Sequence, residues 1–181
     1  MSNDRKAAGA DARITLRQAG SGDAPVLARL HAAAFGERKG WSEKSIAEML
    51  AVEGTEAMLA LAHGTHGTAR SSERAGGEPV GMIITRMVWG DGEILTLAVD
   101  PAWQRRGIGS RLLASATNGM VMQGVNRVFL EVAEDNHAAI TLYESLKFEG
   151  TGRRPNYYLT EDGRRVDALM MVRVFGTGCG G

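Results

Sequence analysis

Apolar residues recur every second position in some stretches of this chain and every third or fourth in others, and the change of period marks out its elements. "RITLRQA" from Arg13 predicts a strand, and "GDAPVLARLHAAAF" a helix with Val26, Leu27, Leu30 and Ala34 along one stripe. Ser42 stands as an N-cap before the short helix "EKSIAEML", whose apolar face is Ile46, Met49 and Leu50. "EAMLALAH" and "PVGMIITRMVW" predict two strands, separated by "GTHGTARSSERAGGE", whose Gly, Ser and Thr content predicts a mobile loop. "GEILTLAV" follows as a strand, "GIGSRLLASATNGMVMQ" as a helix with Ile108, Leu112, Leu113 and Ala116 in period, "NRVFLEVA" as a strand and "NHAAITLYESLKF" as a helix. "DALMMVRVF" predicts the last strand. The order β-α-α-β-β-β-α-β-α-β-β is that of an α/β layered domain, a mixed central sheet with helices on both faces.

Length and charge narrow what such a domain does. At 181 residues the chain is long enough for one sizeable core and short for two, which predicts a single domain over 13–175 between a flexible extension at 1–12 and a flexible tail at 176–181. With 21 basic and 21 acidic residues there is no global field to draw it to nucleic acid or to an anionic membrane, so any anion site must be local. Cys179, the only cysteine, lies in "GTGCGG"; an intramolecular disulfide is excluded and a reducing compartment is compatible. "MSNDRKAAGADA" carries no apolar leader core, and no run of about 18 apolar residues occurs. The expectation is a cytoplasmic monomer or weak dimer without direct nucleic-acid or membrane binding. His63 and His66 stand close together but without further ligands, so no metal is expected.

The candidate chemistry begins at "LAVDPAWQRRGIGSRLLASA", where Arg105, Arg106, Gly107 and Gly109 crowd the mouth of a helix. Glycine is the poorest ordinary helix former, so its use there points to a need for bare backbone. A helix amino terminus leaves N–H groups without partners and carries partial positive charge, which suits an anion. Glycines let a phosphate approach without a β-carbon in the way, and the arginines add charge. An ordinary loop-to-helix junction with solvated arginines fits the same residues. A P-loop is excluded, because no Gly-Lys-Ser/Thr occurs. A dinucleotide fingerprint is matched by Gly107 and Gly109 but has Leu112 in the third place and "DPAWQRR" after the strand; it stays as an alternative, with Glu131 as the ribose-binding acid.

Further along, alternation puts Leu130 and Val132 on one face of a strand and Phe129 and Glu131 on the other. A carboxylate among apolar strand residues is costly unless it pairs with an arginine or does chemistry. Asn136, Ala139 or Ile140, and Tyr143 share a helical stripe, and the small Ala138 and Ala139 leave room for a ligand at the helix start. Unaided, Tyr143 fits a core aromatic, Tyr157 and Tyr158 fit strand residues packed on a sheet, and Trp41 fits a hydrophobic anchor.

"VDPAWQRRGIGSRLL" resembles the Q/R-x-x-G-x-G/A acetyl-CoA signature of the GCN5-related N-acetyltransferases, with Gln104, Gly107 and Gly109 in the signature places. "LEVAEDNHAAITLYESLKF", "RRPNYY" and "GWSE" are similar to segments of the bacterial ribosomal-protein alanine N-acetyltransferases, the RimI type, and the likeness runs from about Arg13 to Phe175. The resemblance implies the corresponding mixed-sheet fold and acetyl-CoA as cosubstrate. Its pyrophosphate would lie on the backbone of Gln104, Arg105, Arg106, Gly107, Ile108, Gly109 and Ser110, and its pantetheine arm along Leu97, Ala98 and Val99. It implies Glu131 as general base, Tyr143 as general acid, Asn136 as a cofactor contact, and Trp41, Arg154, Tyr157 and Tyr158 around the acceptor. That acceptor would be a protein amino terminus, possibly of a ribosomal protein. One departure is Lys147, which stands where the family usually has the glycine of a left-handed turn. Three functions remain open: amino-terminal protein acetylation, acetylation of a small amine or lysine side chain, and acyl-CoA sensing without catalysis.

Overall fold

Seven strands hydrogen-bond into one sheet, ordered β1-β2-β3-β4-β5-β7-β6, in the computed structural model, which describes residues 12–36, 40–64, 76–160 and 163–176. The strands are β1 (Arg13–Ala19), β2 (Thr55–His63), β3 (Glu78–Val88), β4 (Asp91–Val99), β5 (Arg127–Ala133), β6 (Glu149–Leu159) and β7 (Arg165–Val174). The α-helices among the described residues are α1 (Ala24–Phe35), α2 (Glu43–Leu50), α3 (Ile108–Met122) and α4 (His137–Ser145). Pairing is antiparallel for β1 with β2 and for β7 with both β5 and β6, and parallel for β4 with β5 over Asp91–Ile94 and Arg127–Leu130. A parallel neighbour needs a long crossover, and α3 supplies it between β4 and β5. The mixed α/β sheet is the architecture expected from the order of apolar periods. The amino-terminal extension through residue 11, most of the loop expected to be mobile (65–75, with His66), and the tail from 177 with Cys179 lie outside the described residues.

The chain gathers into two compact units, one made of residues up to Ile84 with Thr96–Leu113, the other of Thr85–Leu95 with the residues from Ala114 on. In the first, β1 and β2 pair from Arg13↔His63 to Ala19↔Ala57. Its core holds Leu27, Leu30, Ile46, Leu59, Met82, Ile83, Ile84, Ile108, Leu112 and Leu113, all fully buried. The buried face of α1 is Ala24, Leu27, Ala28, Leu30 and His31, whereas Val26 and Ala34 are only half-buried. Positions 24, 27, 28 and 31 follow the helical repeat; Val26 falls well outside that arc, and Ala34 lies at its edge in the last turn. Ser42 caps α2, its side chain accepting the Ser45 N–H at 3.1 Å. Gly81 on β3 is a close junction: a β-carbon there would stand 3.1 Å from Ile108 and 3.2 Å from Leu112, so its absence seats the first turns of α3.

His31 was absent from the candidate residues and holds the α1–α2 connection. Its Nδ1 accepts the Trp41 backbone N–H at 3.2 Å, and its ring stacks on the indole at 4.6 Å and 15° while meeting Phe35 at 4.6 Å. Burial pushes its pKa from 6.5 down to about 4, so the ring is neutral at pH 7 with its proton on Nε2.

In the second unit β5 alternates as read from the sequence, with Val128, Leu130 and Val132 buried and Phe129, Glu131 and Ala133 half-buried. Gly92 lies against the far turns of α3, since a β-carbon would come within 2.6 Å of the Met120 sulfur and 3.2 Å of Val128. β6 is the edge strand, exposed along nearly all its length, with register shifts between Gly150 and Gly152 and between Arg154 and Tyr158. Asn136 caps α4, accepting the Ala139 N–H at 3.2 Å. The helix closes with Phe148 N–H on the Tyr143 carbonyl (3.0 Å) and Lys147 N–H on the Glu144 carbonyl (2.9 Å), the paired bonds of a Schellman end. Lys147 adopts φ 67°, so the left-handed turn forms without glycine and a side chain bears the steric cost.

Two outcomes follow from this packing. Lys147→Gly is expected to stabilise the protein by about 1 kcal/mol, read as a rise of about 2–4 °C in melting temperature. His31 binds a proton near pH 6.5 when unfolded but only near pH 4 when folded. Its contribution is therefore complete above about pH 6.5 and is lost as pH falls toward 4, by at most about 3 kcal/mol. Melting curves across that window should lose most of this slope in His31→Asn, which keeps an acceptor where Nδ1 stands.

Candidate active site

The first unit carries a bare, positively polarised turn. Alternation along β4 buries Ile94, Thr96 and Ala98 and leaves Leu97 and Val99 half-exposed, and Leu97–Val99 lie beyond the stretch of β4 that pairs with β5. After Val99 the Asp100 carboxylate caps a 3₁₀ turn over Pro101–Trp103 by accepting the Ala102 N–H at 2.9 Å. Gln104 folds back, its amide donating to the Val99 carbonyl at 3.2 Å, which ties the turn to the strand end. Arg105 at φ 63° and Gly107 at φ 74° are both left-handed, and α3 begins at Ile108, whose side chain is buried. Left-handed residues in such a turn make successive N–H groups converge on a concave anion site, and the first N–H groups of α3 add donors without helical partners. A β-carbon on Gly107 would meet nothing within 4 Å, so bare backbone faces open space. This turn fits a pyrophosphate.

The glycines and arginines divide their work differently from the sequence reading. Gly107 is required by its backbone angle, whereas Gly109 sits with Ser110 inside the first turn of α3. The left-handed Arg105 escaped the sequence, because arginine carries no signal for that conformation. Arg106 lies over the Trp103 ring at 4.8 Å and donates to the Ala102 carbonyl at 3.4 Å, while Arg105 is exposed. Trp41, in the same unit, is held by His31 as described above.

The second unit brings together Glu131, Tyr143, Arg154, Tyr157 and Tyr158. Glu131 is the fifth residue of β5, on the face opposite Leu130 and Val132, and its Oε1 lies 2.8 Å from Arg154 Nε. Pairing with an arginine was the structural alternative to a catalytic role, and the pair exists; it leaves the carboxylate 25% exposed. Tyr158 Oη donates to the Glu131 carbonyl at a long 3.5 Å, and burial, then the charges of Glu131 and Tyr157, raise its pKa. Tyr157 and Tyr158 meet edge-to-face at 5.0 Å, and the Arg154 guanidinium lies 5.6 Å from the Tyr157 ring. Tyr143 is buried against Phe148 at 6.0 Å, and desolvation, with Tyr158 as a smaller cause, pushes its pKa up to about 12. The phenol is therefore protonated at neutral pH. Asn136 spends its side-chain oxygen on the α4 cap.

Asp167 and Arg165 were also absent from the candidates. The Asp167 carboxylate accepts the Asn156 N–H at 2.9 Å and Arg165 donates to the Asn156 carbonyl at 3.0 Å, so both main-chain groups of this left-handed residue (φ 56°) are satisfied from β7. That fixes the bulge setting Tyr157 and Tyr158 apart from Arg154. "PN" inside a strand was the available signal, since proline interrupts a ladder and asparagine tolerates a left-handed backbone. Among the described residues no group of three or more metal-ligating side chains occurs, and His63 bonds the Thr15 hydroxyl at 2.8 Å. Also among them, no helix is long and apolar enough to cross a membrane.

The chain is similar to acetyltransferases of known sequence and structure. The [Ribosomal protein bS18]-alanine N-acetyltransferase of Escherichia coli K12 is 42% identical over 96 residues, 53% of this chain and 64% of the relative. The N-alpha-acetyltransferase RimI of Mycobacterium tuberculosis is 44% identical over 81 residues, 45% of this chain and 48% of the relative. The aligned stretch thus spans less than two thirds of the length of either. In three dimensions the crystal structure of the E. coli ribosomal-protein-S18-alanine N-acetyltransferase superposes with a TM-score of 0.77 at 30% identity, over 93% of this chain and 98% of that one. Arabidopsis thaliana NAA60 in complex with acetyl-CoA shares the fold, with a TM-score of 0.73 at 20% identity over 90% and 98% of the two chains. The sequence profile of the Acetyltransferase (GNAT) family matches residues 31–148, and with the glycine turn and the carboxylate and phenol now placed, the chain belongs to that family.

Proposed function

We propose that this chain is an amino-terminal protein acetyltransferase, moving the acetyl group of acetyl-CoA to a protein α-amine, with a ribosomal protein as the natural acceptor. The carboxylate of Glu131 and the phenol of Tyr143, placed in one unit with Tyr158 near both, carry the reading: binding acyl-CoA alone needs neither a proton acceptor nor a proton donor. Support for the α-amine comes from the relatives, whose names specify alanine or N-alpha acetylation.

Acetyl-CoA supplies an activated thioester. The N–H groups over Gln104–Ser110 bind its pyrophosphate, and the exposed main chain of Leu97–Val99 hydrogen-bonds its pantetheine arm as a strand would. A free α-amine has a pKa of about 7.7–8.0, so much of it arrives protonated and unreactive. Glu131 removes that proton, directly or through a water. The amine then attacks the carbonyl carbon, a backbone N–H near Val99 stabilises the oxyanion, and Tyr143 protonates the departing thiolate. Asn136 adds a cofactor contact at the start of α4. The family likeness assigns acceptor contacts to Trp41 and to Tyr157 and Tyr158. The same reading puts the enzyme in the cytoplasm.

Peptides beginning with Ala or Ser should be acetylated at the α-amine, and blocking that amine should abolish the reaction even when an internal lysine is present. Mass spectrometry placing the acetyl group on lysine, or polyamines reacting faster than any such peptide, would move the acceptor class to side chains or small amines. Tyr143→Phe keeps the ring packing and should lower kcat about 100-fold or more, with acetyl-CoA affinity little changed by calorimetry. An unchanged kcat would remove Tyr143 from the chemistry.

A further inference from the structure

The ion pair between Arg154 and Glu131 does more than hold two strands together. Arg154 Nε approaches Glu131 Oε1 at 2.8 Å from β6, and the two side chains remain 53% and 25% exposed. An exposed pair of this kind contributes little to stability. The chain nonetheless invests in its placement: the bulge after Arg154 is pinned through Asn156 by Asp167 and Arg165, and Tyr157 covers the guanidinium from one side. Among the described residues, Arg154 is the cation paired with this carboxylate. On β6, Tyr157 and Tyr158 are phenols, and Arg153 is engaged with Glu134 at 2.6 Å. On α4, Tyr143 is a buried phenol near Tyr158. On β7, Met170 is the register partner of Glu131, and Asp167 is bonded to Asn156.

We infer that Arg154 is a positioning residue for the base: it fixes the orientation of the Glu131 carboxylate, and its charge disfavours the protonated form of the acceptor amine delivered there. This rests on Glu131 being the base. It replaces the role expected from the sequence, in which Arg154 contacted the acceptor. An incoming ammonium placed within a few ångströms of a guanidinium loses its proton more readily, because like charges destabilise each other. The proton passes to Glu131, and the neutral amine keeps the electron pair that forms the new C–N bond.

The experiment compares Arg154→Lys and Arg154→Gln, which both retain the stem, by the pH dependence of kcat with an Ala-initiated peptide. Arg154→Gln should move the acid limb of kcat to higher pH by about one unit and lower kcat at pH 7 about tenfold, because the bound amine then stays protonated up to higher pH. Arg154→Lys should keep the limb near its wild-type place. Acetyl-CoA KM should be unchanged in both, and melting temperatures should stay within a few degrees of wild type. A limb that stays put in Arg154→Gln, with the rate equal to wild type or reduced evenly at every pH, overturns the inference. Glu131→Gln separates this from the underlying reading: if it keeps a wild-type profile, Glu131 is not the base. If it loses the rate while Arg154→Gln leaves the limb unmoved, only the role of Arg154 fails.

Discussion

The contact between Gly81 and the first turns of α3 is the constraint on which the glycine turn before that helix depends. Ile108 and Leu112 approach the backbone of β3 so closely that a β-carbon on Gly81 would have to push them back by a few tenths of an ångström, which ties the start of the helix to the strand. The polypeptide between the end of β4 and Ile108 must then reverse within a few residues, and it does so with two left-handed residues and the Gln104 amide tied to Val99. Open backbone at Gly107 is a consequence of packing on the other side of the helix. The site is exposed because Ile108 is buried.

A comparable economy governs the second unit. Alternation along β5 leaves Glu131 on the face that Val128, Leu130 and Val132 do not use, and the same strand pairs with β7 throughout. β7 in turn carries the side chains that satisfy the bulge of β6. The carboxylate, the guanidinium and the tyrosine pair thus occupy one ladder of three strands, and the buried phenol of Tyr143 is held by the closing turn of α4.

Much of this was legible in the sequence because it rests on period and on glycine. Element order and the face of Glu131 follow from spacing alone; the glycine turn on spacing alone fits an ordinary junction as well, and the family likeness supplied its reading as a cofactor turn and that of Tyr143, whose pattern unaided reads as core. What stayed hidden depends on partners distant in sequence or on residues without a conformational signature. His31 reads as one more position near an apolar stripe until Trp41 stacks on it. Arg105 gives no hint of its left-handed backbone. Arg154 and Asp167 acquire their roles only when β6 and β7 are paired with a shift of register. Lys147 shows the opposite case, where the sequence argued against a turn that the Schellman bonds form regardless.

The irregular course of β6 also bears on how the protein behaves in a crowded solution. An edge strand of eleven residues is a template for other chains, and a straight, apolar one would recruit them into intermolecular sheets. Here Pro155 removes a donor, and the two register shifts break the repeat that a foreign strand would have to match. Straightening this edge would therefore restore a template for intermolecular pairing, and such variants would tend to aggregate before they lost their fold.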